Sequence, residues 1–423
     1  MGGKLKMPEF ELVDYKVLEK IGEGSFSEVY RVKHKRTGLY YAAKKLLKVY
    51  VDSAEALECS EIQVMKVLDY HPNVVSFVDI LHDELSGSLT LMMELMDMSM
   101  YDYIKNRKRC LSEKLVKRFL FQIVSGLNHL HRNGIFHRDI KPENILIKIP
   151  HKLKESELVQ LADFGSICSV HQNAPYSAYI STRWYRSPEC LLTSGYYGPK
   201  MDIWAVGCCF YEMLTLNPLF PGEHELDQLH LIHEVVGSPS SAVLAKFRHL
   251  NELNYEFPKR KPTGFRILIP LLSHYGVDIL NRTLAYVPDA RISSSKLLQH
   301  VYFEDICRSK KSSRLSSSMQ CLDDVGDGHG IKGSPRRKGT KSSIGSTESL
   351  NRSLQSKGSS VLASTAKSRI NATCCDQRPP PAQHRNLATE MIKHKNLERM
   401  WGMNPGPGKA RLGQQLTTTI TRA

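Results

Sequence analysis

Three short segments in a fixed order leave this 423-residue chain few ways to fold: Gly22-Glu23-Gly24, then His137-Arg138-Asp139-Ile140-Lys141-Pro142-Glu143-Asn144, then Asp163-Phe164-Gly165 nineteen residues on. The glycines of the first lie between two alternating apolar and polar runs, one through Tyr15, Val17, Leu18 and Ile21, the other through Val29, Tyr30 and Val32. Gly38 separates these from a third run over residues 40–43. The pattern predicts antiparallel hairpins, not the strand-to-helix turn of a dinucleotide-binding fold. A helix is expected over residues 55–68, broken by His71-Pro72-Asn73, with strands over 74–80 and 89–94. Past Met100 the period becomes helical, and Leu115, Phe119, Ile123, Leu127 and Leu130 share one face. Further helices are expected over 201–214, 225–236, 268–272, 276–284 and 294–299. The fold class is α+β and bilobal: a small β-rich N-lobe over 15–96 and a larger, mainly helical C-lobe over 97–303.

The ends of the chain have a different character. Residues 1–14 read as an N-terminal extension. From Arg308 to Ala423 there are 21 Lys and Arg against 7 Asp and Glu, while the rest of the chain has 37 against 36. The net charge of +15 therefore belongs to the tail, and nucleic acid is not an expected partner of the folded part. Residues 304–423, rich in Ser, Lys, Arg and Gly and carrying Pro379-Pro380-Pro381, read as a basic, low-complexity, mostly disordered tail. Apolar residues near Met391, Leu397, Met400 and Trp401 would suit a short docking helix, though a chance cluster is the better reading. Ser334-Pro335-Arg336-Arg337-Lys338 would suit an import or proline-directed modification signal, against the plainer reading of solvated charge. Ten cysteines without a CxxC pair fit reduced thiols in the cytosol or nucleus. No apolar run reaches the ~18 residues of a membrane span. No secretory leader is expected, and Lys6 stands where a myristoylation signal wants Ser or Thr.

The chemistry follows from what these residue types can do together. A loop of Ile21, Gly22, Glu23, Gly24, Ser25, Phe26, Ser27, Glu28 and Val29 can bend over phosphates with its backbone N–H groups turned inward, since glycine has no Cβ to clash. Taken alone, a plain hairpin turn explains it better. Lys44 ends the run Tyr41-Ala42-Ala43, where an ammonium is costly unless paired; it shares a face with Ala42. The bland alternative is a lysine that snorkels from a strand end. Leu91-Met92-Met93-Glu94-Leu95-Met96 reads by itself as a core strand. Asp139 can orient or deprotonate a hydroxyl, and Lys141 can neutralise a phosphate. Asn144 and Asp163 offer the hard oxygens that magnesium prefers. The combination implies phosphoryl transfer from a nucleotide.

These motifs, over residues 15–303, resemble those of eukaryotic protein kinases. Trp184-Tyr185-Arg186-Ser187-Pro188-Glu189, Leu219-Phe220-Pro221-Gly222 and Glu225-Leu226-Asp227-Gln228 resemble the cyclin-dependent and MAP kinase group. His131-Arg132-Asn133-Gly134-Ile135-Phe136 and Tyr179-Ile180-Ser181-Thr182-Arg183 resemble its male-germ-cell-associated kinase subfamily. The resemblance implies a protein-kinase fold and ATP- and Mg2+-dependent phosphorylation of protein Ser/Thr. It makes Asp139 and Lys141 catalytic, and Asn144 and Asp163 magnesium ligands. It places Lys44, paired with Glu61, on the ATP phosphates, and Glu94 and Met96 at the adenine with Met93 behind it. Glu189 is expected to pair with Arg291. Regulation is expected at Ser177 and Tyr179 by an upstream kinase, with Arg138, Arg183 and Arg186 as phosphate ligands. Substrates with Pro after the phosphoacceptor, a monomer, and a cytoplasmic, nuclear or ciliary setting are implied as well.

The chain departs from the family pattern at three places. Ser27 replaces the third loop glycine, Ser177-Ala178-Tyr179 replaces Thr-x-Tyr, and Ser60 replaces an Arg before Glu61. With one Arg fewer, Ser177 phosphorylation is expected to activate only weakly and Tyr179 to matter more. Lys44, Glu61, Asp139, Asn144 and Asp163 are all present, which favours an active enzyme over a pseudokinase-like scaffold that binds partners through the fold and tail. Residues 184–189 and the long helical lobe argue against a small-molecule phosphotransferase.

Overall fold

The protein is described here as a computed structural model, which covers residues 12–150, 156–177, 182–247 and 257–308. The tail beyond Arg308, with the 334–338 and 391–401 segments, and Tyr179 lie outside the described residues. Five antiparallel strands form the N-lobe: β1 (Tyr15–Glu23), β2 (Ser27–His34), β3 (Tyr40–Val49), β4 (Phe77–Asp83) and β5 (Ser88–Glu94), in spatial order β1-β2-β3-β5-β4. Between β3 and β4 run two short helices, α1 (Ser53–Leu57) and α2 (Ser60–Val67). Strand β3 is covered on both faces. Ala43 joins Tyr15, Val32 and Met92 on one side, while Ala42 joins Val29 and the main core on the other. Two adjacent alanines let both layers approach the strand closely, and they set Lys44 on the cleft side with Ala42.

The C-lobe begins with β6 (Met98–Ser99) and α3 (Met100–Ile104), where Ser99 and Asp102 make a reciprocal capping box. Helix α4 (Glu113–Arg132) starts at the Ser112 cap and buries Phe119, Ile123, Leu127 and Leu130, with Leu115 only partly covered. Then come β7 (Ile135–Phe136), β8 (Ile145–Lys148), β9 (Leu158–Leu161), β10 (Cys168–Ser169), α5 (Pro188–Leu192) and α6 (Lys200–Thr215). Helices α7 (Glu225–Val236), α8 (Ser241–Leu244), α9 (Phe265–Leu268), α10 (His274–Thr283) and α11 (Ser294–Leu298) complete it. Strands β6-β8-β9 and β10-β7 form two small sheets beneath the cleft. Helix α6 is buried nearly all round, as befits the axis of a large helical core.

Three expected elements differ from those observed, each for a physical reason. The single helix over 55–68 is two helices, because the buried Ala56, Cys59, Glu61, Ile62 and Val64 spread around a helical wheel and cannot share one stripe. A break at Glu58 and Cys59 lets all five turn inward. The strand expected from residue 74 starts at Phe77, since Val75 N–H donates to Leu161 O of β9 at 2.9 Å and Val74 bridges to the same residue. The helix expected at 268–272 lies at Phe265–Leu268: Gly264 opens it at φ 78°, and Pro270 forces Ile269 out of the helical region.

Arg291 is a fully buried charge of the C-lobe with every N–H group paired. Both terminal nitrogens donate to the Glu189 carboxylate, and the remaining N–H groups reach the carbonyls of Ala285, Lys200 and Tyr286. Its guanidinium also lies 5.1 Å from the Trp204 ring centroid. Replacing Arg291 by Met should strand the Glu189 carboxylate and cost about 3–5 kcal/mol of unfolding free energy. Urea denaturation would read this loss, and the Arg291→Met, Glu189→Met double variant should recover part of it.

Candidate active site

Three strictly local features converge on the cleft between the lobes. From β3, Lys44 Nζ meets Glu61 Oε1 of α2 and, at 2.8 Å, Asp163 Oδ1. Lys44 and Glu61 are 6% and 3% exposed, so the ammonium is dry and held by two carboxylates. Burial alone would lower the Lys44 pKa, but Asp163 and Glu61 outweigh it and raise it. Burial pushes Glu61 up, whereas Lys44 overcomes burial to hold Asp163 well below the usual carboxylate range. One cation between two anions therefore favours Asp163 as the ionised partner. Asp163 itself takes a left-handed backbone conformation, φ 66°, a strained geometry concentrated at functional sites.

The segment His137–Asn144 forms the floor. Asp139 Oδ2 receives Lys141 Nζ at 2.7 Å and Asn144 Nδ2 at 2.9 Å. Asn144 Nδ2 also donates to the Asp139 carbonyl. Burial opposes the Lys141 charge, but the Asp139 carboxylate raises its pKa overall. The loop is anchored from below by Asp202 of α6, whose two oxygens accept the His137 and Arg138 backbone N–H groups, each at 2.8 Å. His131 Nε2 closes on the same carboxylate at 2.9 Å. His137 Nε2 bonds to Ala162 O at 3.0 Å, joining the loop to the residue before Asp163. Asp202 escaped the sequence reading. Its signal was an acidic residue in the first turn of a mostly apolar helix.

The donor set fits a hard cation. Asp139 Oδ1 and Asn144 Oδ1 are buried without a partner, and Asp163 is firmly anionic. Among the described residues no group of three or more His, Cys, Asp and Glu could hold a metal alone. Asn144 and Asp163 fit a magnesium ion that takes its other ligands from water and nucleotide phosphates.

Above the floor, Val29, Met93, Leu146, Ala162 and Phe164 line an apolar recess next to Lys44. Ala42 and Met96 are buried nearby in the main core, with Ile21 packed against it. In the glycine loop, Gly24 N–H donates to Ser27 O at 2.7 Å, Phe26 is 82% exposed, and Lys20 ties Glu23 to Glu28. Neither Gly22 nor Gly24 takes a positive φ, so in this conformation glycine contributes its missing Cβ, not an unusual angle. Ser27 likewise avoids positive φ and pairs with Leu46, so a serine fits there without strain. At the hinge, Lys148 Nζ donates to Glu94 Oε1 and Leu95 O, each at 2.8 Å, linking β8 to the end of β5.

The three arginines expected to read a phosphate have the following contacts among the described residues. Arg138 reaches the Ser166 and Ile167 carbonyls and the Tyr197 hydroxyl, which in turn donates to Ser177 O. Arg183 instead donates to Glu223 O at 2.7 Å, and Arg186 pairs with Glu225 at 3.4 Å. Ser177 is exposed; Tyr179 lies outside the described residues.

Comparison with known proteins follows the same outline. The family model described as "Protein kinase domain" matches residues 15–303. The chain is similar to the MAPK/MAK/MRK overlapping kinase of Homo sapiens, at 45% identity over 298 residues, 70% of each chain. The mouse (Mus musculus) protein of that name is 45% identical over 291 residues, covering 69% of this chain and 68% of its own. Serine/threonine-protein kinase MAK of Mus musculus is 32% identical over 291 residues, 69% of this chain and 45% of that one.

Asp202 should matter to turnover more than to nucleotide affinity. Asp202→Ala leaves two loop N–H groups without their buried acceptor, a cost of about 1–3 kcal/mol each. The expected result is a lower melting temperature and a kcat at least about tenfold down, with nucleotide affinity by calorimetry within about threefold of wild type.

Proposed function

We propose that this chain, which belongs to the protein kinase family and is a protein serine/threonine kinase, transfers the γ-phosphoryl group of ATP to Ser or Thr followed by Pro. The observation that carries this reading is the state of Asp139. One carboxylate oxygen is fixed by Lys141 and Asn144, while the other is buried and has no hydrogen-bond partner. In this reading Asp139 orients the substrate hydroxyl and accepts its proton. Lys141 holds the carboxylate and faces the transferring phosphoryl. Lys44 grips the α- and β-phosphates, kept in place by Glu61. Asn144 and Asp163 would hold magnesium, which would supply charge neutralisation.

The proline preference draws support from the shelf beside residues 183–186. Trp184 Nε1 donates to Gly222 O at 3.3 Å, and Gln228 connects Gly222 N–H to the Trp184 carbonyl. A segment clamped in this way presents a fixed surface to the residue after the phosphoacceptor. We further propose control by phosphorylation at Ser177 and Tyr179, with Tyr179 the weightier, because Ser60 stands where an Arg would help to clamp a phosphate on Ser177. The proposed setting is the cytoplasm, with nucleus and cilium as further sites; imaging of the tagged chain with and without residues 304–423 tests it.

Asp139→Asn should lower kcat by about 10²–10⁴ while leaving the KM for ATP within a few-fold. In a degenerate peptide library the wild type should select Pro directly after the phosphoacceptor, and an even distribution there would remove the proline assignment. Tyr179→Phe should reduce activity more than Ser177→Ala; the reverse order would refute the regulatory ranking.

A further inference from the structure

We propose that Tyr197 is a positioning residue that holds Arg138 and the 166–177 segment in their catalytic arrangement without a phosphate. The proposal deepens the kinase reading above and rests on it. Arg138 follows His137 and precedes Asp139, on a backbone with φ 66° that directs its side chain away from the cleft floor. Its Nε donates to Ser166 O, its Nη2 to Ile167 O at 3.3 Å, and its Nη1 to the Tyr197 hydroxyl at 3.2 Å. That hydroxyl has a single proton, and it goes to Ser177 O at 2.6 Å. One tyrosine therefore connects the cation beside Asp139 to the exposed residue Ser177, while Arg138 holds the start of the same segment.

The far end of the segment is fixed a second time. Tyr176 N–H donates to Gly195 O at 2.8 Å, and the Tyr176 ring lies 5.5 Å from Phe136 and 5.3 Å from Tyr197. Gly195 has φ 87°, and a Cβ there would fall 2.1 Å from Tyr176 O, so only glycine permits this approach. The Tyr176 hydroxyl turns back onto Gln172 O at 2.8 Å. Burial, opposed by Arg138, pushes the Tyr197 hydroxyl up to about 12, so it remains a donor at any physiological pH. A phosphate on Ser177 would then compete with the Tyr197 hydroxyl for a guanidinium that already has partners. It would add little to a segment already held by Arg138, Tyr197 and Gly195.

The test uses the full-length chain, dephosphorylated or carrying phosphoserine installed at position 177, as wild type and as Tyr197→Phe. Each form is assayed for kcat and KM on a Ser-Pro peptide, with amide hydrogen exchange over residues 166–177. Dephosphorylated wild type should come within about threefold of the phosphoserine form. Dephosphorylated Tyr197→Phe should lose about tenfold in kcat, the size expected of one hydrogen bond to a charged group. Phosphoserine 177 should restore it to within about threefold, because the phosphate takes over Arg138. Equal losses with and without phosphoserine would mean an ordinary structural role and would overturn the proposal. So would a dephosphorylated wild type about a hundredfold slower than the phosphoserine form, or a Tyr197→Phe variant as active as wild type. Should Tyr197→Phe fold poorly, hydrogen exchange on dephosphorylated wild type decides: a protected Tyr176 amide supports the proposal and an unprotected one sinks it. If no peptide is phosphorylated in any form yet that amide is protected, the substrate reading fails while the clamp stands.

Discussion

The Lys44 ammonium is the charge on which the cleft is built. It leaves the end of a strand whose two preceding residues are alanines, and it can stay charged in a dry setting only because Glu61 and Asp163 reach it together. Each partner comes from a different part of the chain: Glu61 from α2, Asp163 from the turn after β9. Desolvating an ammonium is expensive, and attraction from well-placed carboxylates offsets that cost only when the geometry is tight. The contact therefore couples the position of α2 to that of the turn carrying Asp163 and to the strand that carries the lysine. Phe164, the next residue, joins the same core beneath α2.

A second carboxylate plays the corresponding part in the C-lobe. Asp202 is 1% exposed and gives both oxygens to the backbone of the 137–144 loop, with His131 completing its shell. Arg138, held in a left-handed conformation by those contacts, then faces the 166–177 segment. The cleft side of the site is thus governed by a cation between anions, and its underside by an anion between donors. Both are buried, so neither is much weakened by salt.

Much of this was legible in the residues. The glycine turn between alternating strands, the His137–Asn144 run and Asp163-Phe164-Gly165 carry their chemistry within a few positions, so local reading places them on the right elements. Glu189 with Arg291 and Lys44 with Glu61 also form the expected pairs, although their partners lie 102 and 17 residues apart. Long-range competition for backbone was not legible. Val74 and Val75 have every local reason to begin a strand, yet β9 claims them across the cleft. The break between α1 and α2 reflects which five side chains must be covered, a fact of the tertiary core and not of propensity. Asp202 was missed because the loop whose N–H groups it accepts lies far away along the chain. Contacts of Arg183 with Glu223 O and of Arg186 with Glu225 likewise have no local sequence signal, since the partners lie 40 and 39 residues away.

The central claim is that Asp163, held ionised by Lys44, is indispensable to moving a phosphoryl group from nucleotide to protein. The most direct measurement incubates purified wild type and Asp163→Ala with magnesium, γ-labelled ATP and a basic protein acceptor, after circular dichroism has matched their folds. The account predicts labelled acceptor with wild type and label at the background level with Asp163→Ala. Equal labelling by the two proteins, or none by folded wild type under any magnesium concentration, would contradict it.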